Sequence, residues 1–171
     1  ASLVNSNLDG WDTSNVTSFS STFEGATAFD VDISGWDVSS ATNMRSMFRG
    51  SSFNQDISGW DVGNVTSMSS MFFGNTVFDQ PIGAWGADTA KVTTFSNMFL
   101  GASSFNQPVG TWDTGAATNM QSMFRDATLF NQDISGWDVS NVTAMGLMFW
   151  RSSFDQPIGA WGSATSKVTV M

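Results

Sequence analysis

The chain has 171 residues, enough for one compact domain or one short repeat array, with fifteen acidic side chains against six basic and a net charge of −9. That balance argues against nucleic acid, whose phosphates need clustered Lys and Arg, and against an anionic membrane surface. Only 12% of residues are charged, so this is no solvated acidic tail, and fifteen Phe, eight Trp and ten Met supply core material. With neither Cys nor His, there is no disulfide framework, no thiolate metal site, no usual general base and no usual zinc ligand. No apolar run is long enough to span a bilayer. No leader peptide is visible and the chain begins at Ala1, so it reads as a mature product or an excised piece of a longer repeat protein.

Trp sets the period. Trp11, Trp36, Trp60, Trp85, Trp112, Trp137 and Trp161 stand at intervals of 25, 24, 25, 27, 25 and 24. An aliphatic residue lies three positions before each: Leu8, Ile33, Ile57, Ile82, Val109, Ile134 and Ile158. In chain order, each unit opens on "I-x-x-W-x-V" (Ile57, Trp60, Val62), whose alternating end predicts a short strand with Trp and Val facing inward. A turn of the type "S-N-V-T" follows. It leads to Thr66, or Thr17, Thr42, Thr118 and Thr143 in other copies, as the N-cap of a short helix. Met68, Met71 and Phe72 then fall at i, i+3 and i+4, one helical face turned to the core. Small residues, as in "FRGSS", end it, and a last Phe (Phe29, Phe53, Phe78, Phe105, Phe130, Phe154) closes the unit.

A longer period lies on top. "FDQPIGAWG" occurs at Phe78–Gly86 and again at Phe154–Gly162, 76 residues apart. These two copies carry Pro81 or Pro157, a Gly in place of the Asp after Trp, and two extra residues before Phe95 or Met171. A unit of about 25 residues cannot bury its own aromatic residues, so the units must stack. The expected fold is an α/β repeat. It is a leucine-rich-repeat-like right-handed solenoid of about seven coils over residues 1–171, with a parallel sheet on one face and short helices or turns on the other. Trp11, Trp36, Trp60, Trp85, Trp112, Trp137 and most of Trp161 should be stacked inside.

The pattern "MFxGxxxFNQDISGWDVSNVTxM" resembles the BspA-like, or domain-of-unknown-function 285, bacterial surface-protein repeat, and the resemblance covers essentially the whole chain. It implies a leucine-rich-repeat-like protein at the cell surface or outside the cell, with a role in adhesion or structure. It carries over no catalytic residues.

The residue after Trp is Asp12, Asp37, Asp61, Asp113 or Asp138, and this row has two readings. A row of carboxylates about 4.8 Å apart is a weak candidate for calcium, which takes carboxylate and carbonyl oxygens. Alternatively each Asp accepts from nearby backbone amides as an Asx-turn. A second ladder pairs Asn or Asp with Gln: Asn54-Gln55, Asp79-Gln80, Asn106-Gln107, Asn131-Gln132 and Asp155-Gln156. Asn15, Asn64 and Asn141 head N-V-T sequons, which are equally the turn chemistry of the repeat. Trp150, off register in "MFWRSS", is the candidate for an exposed stacking contact. No catalytic constellation stands out, since nearly every acid is a repeat position and the one Glu is Glu24.

The expectation is therefore a non-enzymatic extracellular or cell-surface scaffold working through protein contacts, its partner another protein or like subunits stacking end to end. Its two ends lack an evident polar cap. The alternative is a carbohydrate-binding module using the concave strand face. An ice-binding array needs a regular Thr row, but the position two after Trp is mixed: Thr13, Val38, Val62, Ala87, Thr114, Val139 and Ser163.

Overall fold

The computed structural model describes Leu8 and residues 10–171. Repeats are numbered 1 to 7 by their Trp, from Trp11 to Trp161. The expected parallel-sheet solenoid does not form. Among the described residues the only helices are two 3-10 segments, Ile82–Lys91 and Gly159–Lys167. Extended pairing is confined to isolated parallel bridges: Ser18 to Asn43, then Ser67, Thr94, Asn119, Ala144 and Val170. The rest is turn and irregular backbone, so neither the α/β class nor a sheet face stands.

The strand fails because "I-x-x-W" is a turn. Trp60 N–H donates to Ile57 O at 3.1 Å, and Val65 N–H donates to Val62 O at 2.9 Å. Ile57, Trp60, Val62 and Val65 are all buried, but they face inward as the two ends of successive turns, not as alternate positions of a pleat. The same two turns recur at Ile33–Trp36 and Val38–Ala41 and at Ile134–Trp137 and Val139–Val142.

The Met-Phe helix fails for a different reason. The residue before Met, or before Thr22 in repeat 1, has positive φ in each repeat that carries this segment: Ser21, Ser46, Ser70, Asn97, Ser122 and Leu147. A second left-handed residue follows four positions on, at Gly25, Gly50, Gly74, Gly101, Asp126 and Arg151. An α-helix tolerates neither. The compensation is backbone pairing between repeats. Met44, Ser46, Phe48 and Gly50 donate to Ser67, Ser69, Met71 and Phe73 of the next repeat at 2.7–3.0 Å. The intervening Met47, Arg49 and Ser51 donate three residues back within their own repeat. Every amide is thus satisfied without helix or strand, as buried backbone requires. With no helix to cap, Thr66 and its counterparts have another role, described below.

Stacked aromatic rings fill the interior. Phe23, Phe48, Phe72, Phe99, Phe124 and Phe149 form one column with centroids 5.5–6.0 Å apart. Phe29, Phe53, Phe78, Phe105, Phe130 and Phe154 form a second at 5.9–6.4 Å. Within a repeat the two rings lie 3.8–4.0 Å apart. Six of the seven periodic Trp are buried. Trp11 is not: it is 60% exposed, with one ring face stacked on Trp36 at 5.9 Å. From Trp36 to Trp137 the indole N–H donates to the carbonyl of Leu8, Ile33, Ile57, Ile82 or Val109 in the repeat before, at 3.0–3.4 Å. The indole N–H of Trp161 is buried without an acceptor.

Candidate functional site

The repeated polar residues gather in rows along the stack. The Asp row is exposed. Each member accepts a backbone N–H from two residues on: Ser14 to Asp12, Ser39 to Asp37, Gly63 to Asp61, Gly115 to Asp113 and Ser140 to Asp138, at 2.9–3.1 Å. This is the Asx-turn geometry. Hydroxyl bonds from Ser14 and Ser39, at 2.6 Å, hold the carboxyls of Asp12 and Asp37 below their ordinary range. For Asp138 the Ser140 amide does the same. The neighbouring Asp37 charge pushes Asp12 the other way, but more weakly. Among the described residues, no three carboxylates converge into a group that could hold a metal ion.

The Asn/Asp row joins repeats through its side-chain oxygens, which take backbone N–H groups and, at Asn54, Asn106 and Asn131, also the side-chain amides of Gln80, Gln132 and Gln156 at 3.0–3.1 Å. Asp30, Asn54, Asp79, Asn106 and Asn131 accept the backbone N–H of Asn54, Asp79, Asn106, Asn131 and Asp155, each from the following repeat, at 2.8–3.0 Å. The Gln beside them reinforces the same joint, as where Gln80 Nε2 donates to Asn54 O at 2.8 Å.

A third row escaped the sequence reading as a surface feature. Thr17, Thr42, Thr66, Thr93, Thr118, Thr143 and Thr169 are all exposed. From Thr42 onward each backbone N–H donates to the carbonyl of the Thr before it, at 2.8–2.9 Å. Each hydroxyl donates to that same carbonyl at 3.1–3.3 Å. The signal was present at six residues after Trp, or eight in the two longer repeats. It was hidden by assigning five of these Thr to helix caps.

The remaining candidates fall as follows. Asn15, Asn64 and Asn141 are exposed. The amide nitrogens of Asn64 and Asn141 donate to Ser39 O and Gly115 O, and their oxygens accept from Lys91 and Lys167. Trp150 is 44% exposed, but the Arg125 and Arg151 guanidinium groups lie 4.5 and 5.0 Å from its ring centroid, both paired to Asp126. Beside it an apolar cleft of about 540 Å³ opens among Leu147, Phe149, Trp150, Trp161 and Met171. Leu147, Phe149 and Arg151 donate to no backbone carbonyl among the described residues, unlike their counterparts Ser122, Phe124 and Asp126.

These features define a tandem-repeat protein whose recurring polar residues tie one repeat to the next. The chain belongs to the family described as "Mycoplasma protein of unknown function, DUF285", whose model matches residues 1–89 and again 86–171. No curated protein matches the chain, and no solved structure does.

Proposed function

We propose that this chain is a non-enzymatic scaffold, working at the cell surface or outside the cell through protein contacts. The observation that supports this most is that the repeated polar groups are spent on joining repeats. The Asp row caps its own turns, and the Asn/Asp and Thr rows bond from one repeat to the next. Adding a repeat lengthens such a surface without changing its chemistry. An active site instead needs a local asymmetry of acid, base or nucleophile. Among the described residues no helix is long and apolar enough to cross a membrane. The glycan alternative used the concave face of a sheet, and without the sheet it loses that surface. The test is adhesion of beads carrying the chain to protein-coated surfaces and to a glycan array. Adhesion to proteins that survives glycan removal is expected; glycan binding that competes with it would overturn the reading.

The Thr row favours a second reading, contact with an ice lattice. Its hydroxyls and methyls repeat at the spacing of adjacent extended chains, about 4.8 Å, on an exposed edge running the length of the stack. Thermal hysteresis at millimolar chain would support it; freezing at the colligative point would remove it.

A further inference from the structure

We propose that a second copy of this chain stacks head to tail on the first, its repeat 1 seated on repeat 7 through the bonds that join repeats 4 and 5. The proposal rests on the scaffold reading and names one partner for it.

Repeat 7 copies repeat 4 shifted by 76 residues, in structure as in sequence. Both carry the 3-10 segment with a non-helical Gly, Gly86 or Gly162. Both place a Thr hydroxyl on that glycine's carbonyl, Thr89 at 2.8 Å and Thr165 at 2.9 Å. Both reach back with a Lys to the preceding Asn, Lys91 to Asn64 and Lys167 to Asn141 at 2.7 Å. They differ in what covers them. Under repeat 5, Ile82, Thr89 and Val92 are 0% exposed; Ile158, Thr165 and Val168 remain partly open.

Repeat 1 in turn matches repeat 5. "WDT" occurs in the chain only at Trp11–Thr13 and Trp112–Thr114. Thr13 and Thr114 make the same bond to the following repeat, each hydroxyl donating at 2.9 Å to Asp37 O or Asp138 O. Trp112 stacks on Trp85 at 5.9 Å and is 3% exposed, whereas Trp11 is 60% exposed.

The joint between repeats 4 and 5 is therefore a template. Trp112 Nε1 donates to Ile82 O at 3.0 Å, Asp113 N to Gly86 O at 3.3 Å, and Thr89 Oγ1 lies 3.0 Å from Asp113 O. Thr118 N donates to Thr93 O at 2.9 Å, and Phe95 N to Asn119 O at 3.0 Å. Carried to two copies, Trp11 of one covers Trp161 of the other, with its indole N–H on Ile158 O. Asp12 N meets Gly162 O, the Thr165 hydroxyl meets Asp12 O, Thr17 N meets Thr169 O, and Met171 N meets Ser18 O. The Thr row then runs unbroken across the junction. The contact spans only the half of the repeat from Trp161 to Met171, so it is weaker than an internal joint. Because it joins two different surfaces in the way one repeat joins the next, it extends the stack and builds open chains.

Sedimentation velocity of the 171-residue chain from micromolar to millimolar concentration tests this. The expected result is an open series of dimers, trimers and longer species. Trp11→Ala damages only the head and Thr165→Arg only the tail, so each alone stays monomeric over at least a tenfold wider concentration range. Mixed one to one, the intact tail of the first and the intact head of the second form dimers that do not elongate. Thr165→Val, which removes only the hydroxyl, serves if Thr165→Arg disturbs repeat 7, and near-ultraviolet circular dichroism checks the fold of each variant. A monomer at millimolar concentration, a closed dimer, or a mixture no different from its components would overturn the proposal. In the first case, protein adhesion of the monomer would leave the scaffold reading intact.

Discussion

Trp60 and Trp11 occupy the same repeat position with opposite consequences. Trp60 is 3% exposed with its indole N–H on Ile33 O, so Trp60→Ala removes a buried ring and one of the two hydrogen bonds on that carbonyl, which also accepts from Trp36 N–H. A loss of about 3–5 kcal/mol is expected. Trp11 keeps only its inner face covered, and Trp11→Ala is expected to cost about 1 kcal/mol or less. Urea midpoints at micromolar concentration check the contrast; equal losses would mean that both rings are equally buried. The carboxylates give a second prediction at this scale. Hydrogen bonds hold Asp12 and Asp37 low through Ser14 and Ser39 side chains, and Asp32, Asp56, Asp133 and Asp138 low through backbone amides. A folded carboxyl that titrates below its unfolded value, about 3.9 for Asp, stabilises the fold above that pH. The contribution is lost as pH falls through the folded values. Repulsion within the −9 charge acts the other way, but it is screened over about 8 Å at physiological salt. The urea midpoint is therefore expected to be flat above about pH 5 and to drop below about pH 4. A midpoint that rises on acidification would show that repulsion outweighs the capped turns.

Within a repeat, the inward-facing residues were legible and the backbone that turns them inward was not. Ile57, Trp60, Met68, Met71, Phe72 and Phe78 are all buried, as the periodic pattern requires. The pattern is equally met by a turn whose two ends face the core, and the Ser58-Gly59 pair inside "ISGW" is a turn signal that outweighs strand alternation. At Met68–Phe72 the i, i+3, i+4 spacing mimics a helix. Positive φ at Ser70 becomes favourable only once neighbouring repeats supply carbonyls to Met68, Ser70 and Phe72, a tertiary effect that no single repeat shows. The Asp row was legible in both forms, and the turn explains the geometry found. With each carboxylate engaged by its own Ser or Gly amide and no cluster of three among the described residues, calcium has few free oxygens to gather. The melting temperature is expected to stay within about 1 °C on adding millimolar calcium. By mass action, a larger rise would mean that the row binds the ion.

Across the whole molecule, the joints between repeats carry the fold. From repeats 1 and 2 to repeats 5 and 6, each joint combines backbone bonds from the Met-Phe segment, the Asn/Asp side-chain oxygens, the doubly bonded Thr carbonyl and two columns of Phe rings, whereas the joint of repeats 6 and 7 keeps the Thr bonds without the Phe columns. Stability in such an array is a sum of like neighbour terms, with the end repeats weakest. Amide hydrogen exchange on the 171-residue chain measures these joints one bond at a time. Ser122, Phe124 and Asp126 donate to Gly146, Met148 and Trp150 of the next repeat, whereas the equivalent amides of Leu147, Phe149 and Arg151 have no such acceptor among the described residues. The account predicts slow exchange at the first three, slow exchange at Thr66, Thr93 and Thr118, and rapid exchange at the second three. Equal protection of the two sets, or rapid exchange along the Thr row, would contradict a fold held by bonds between repeats.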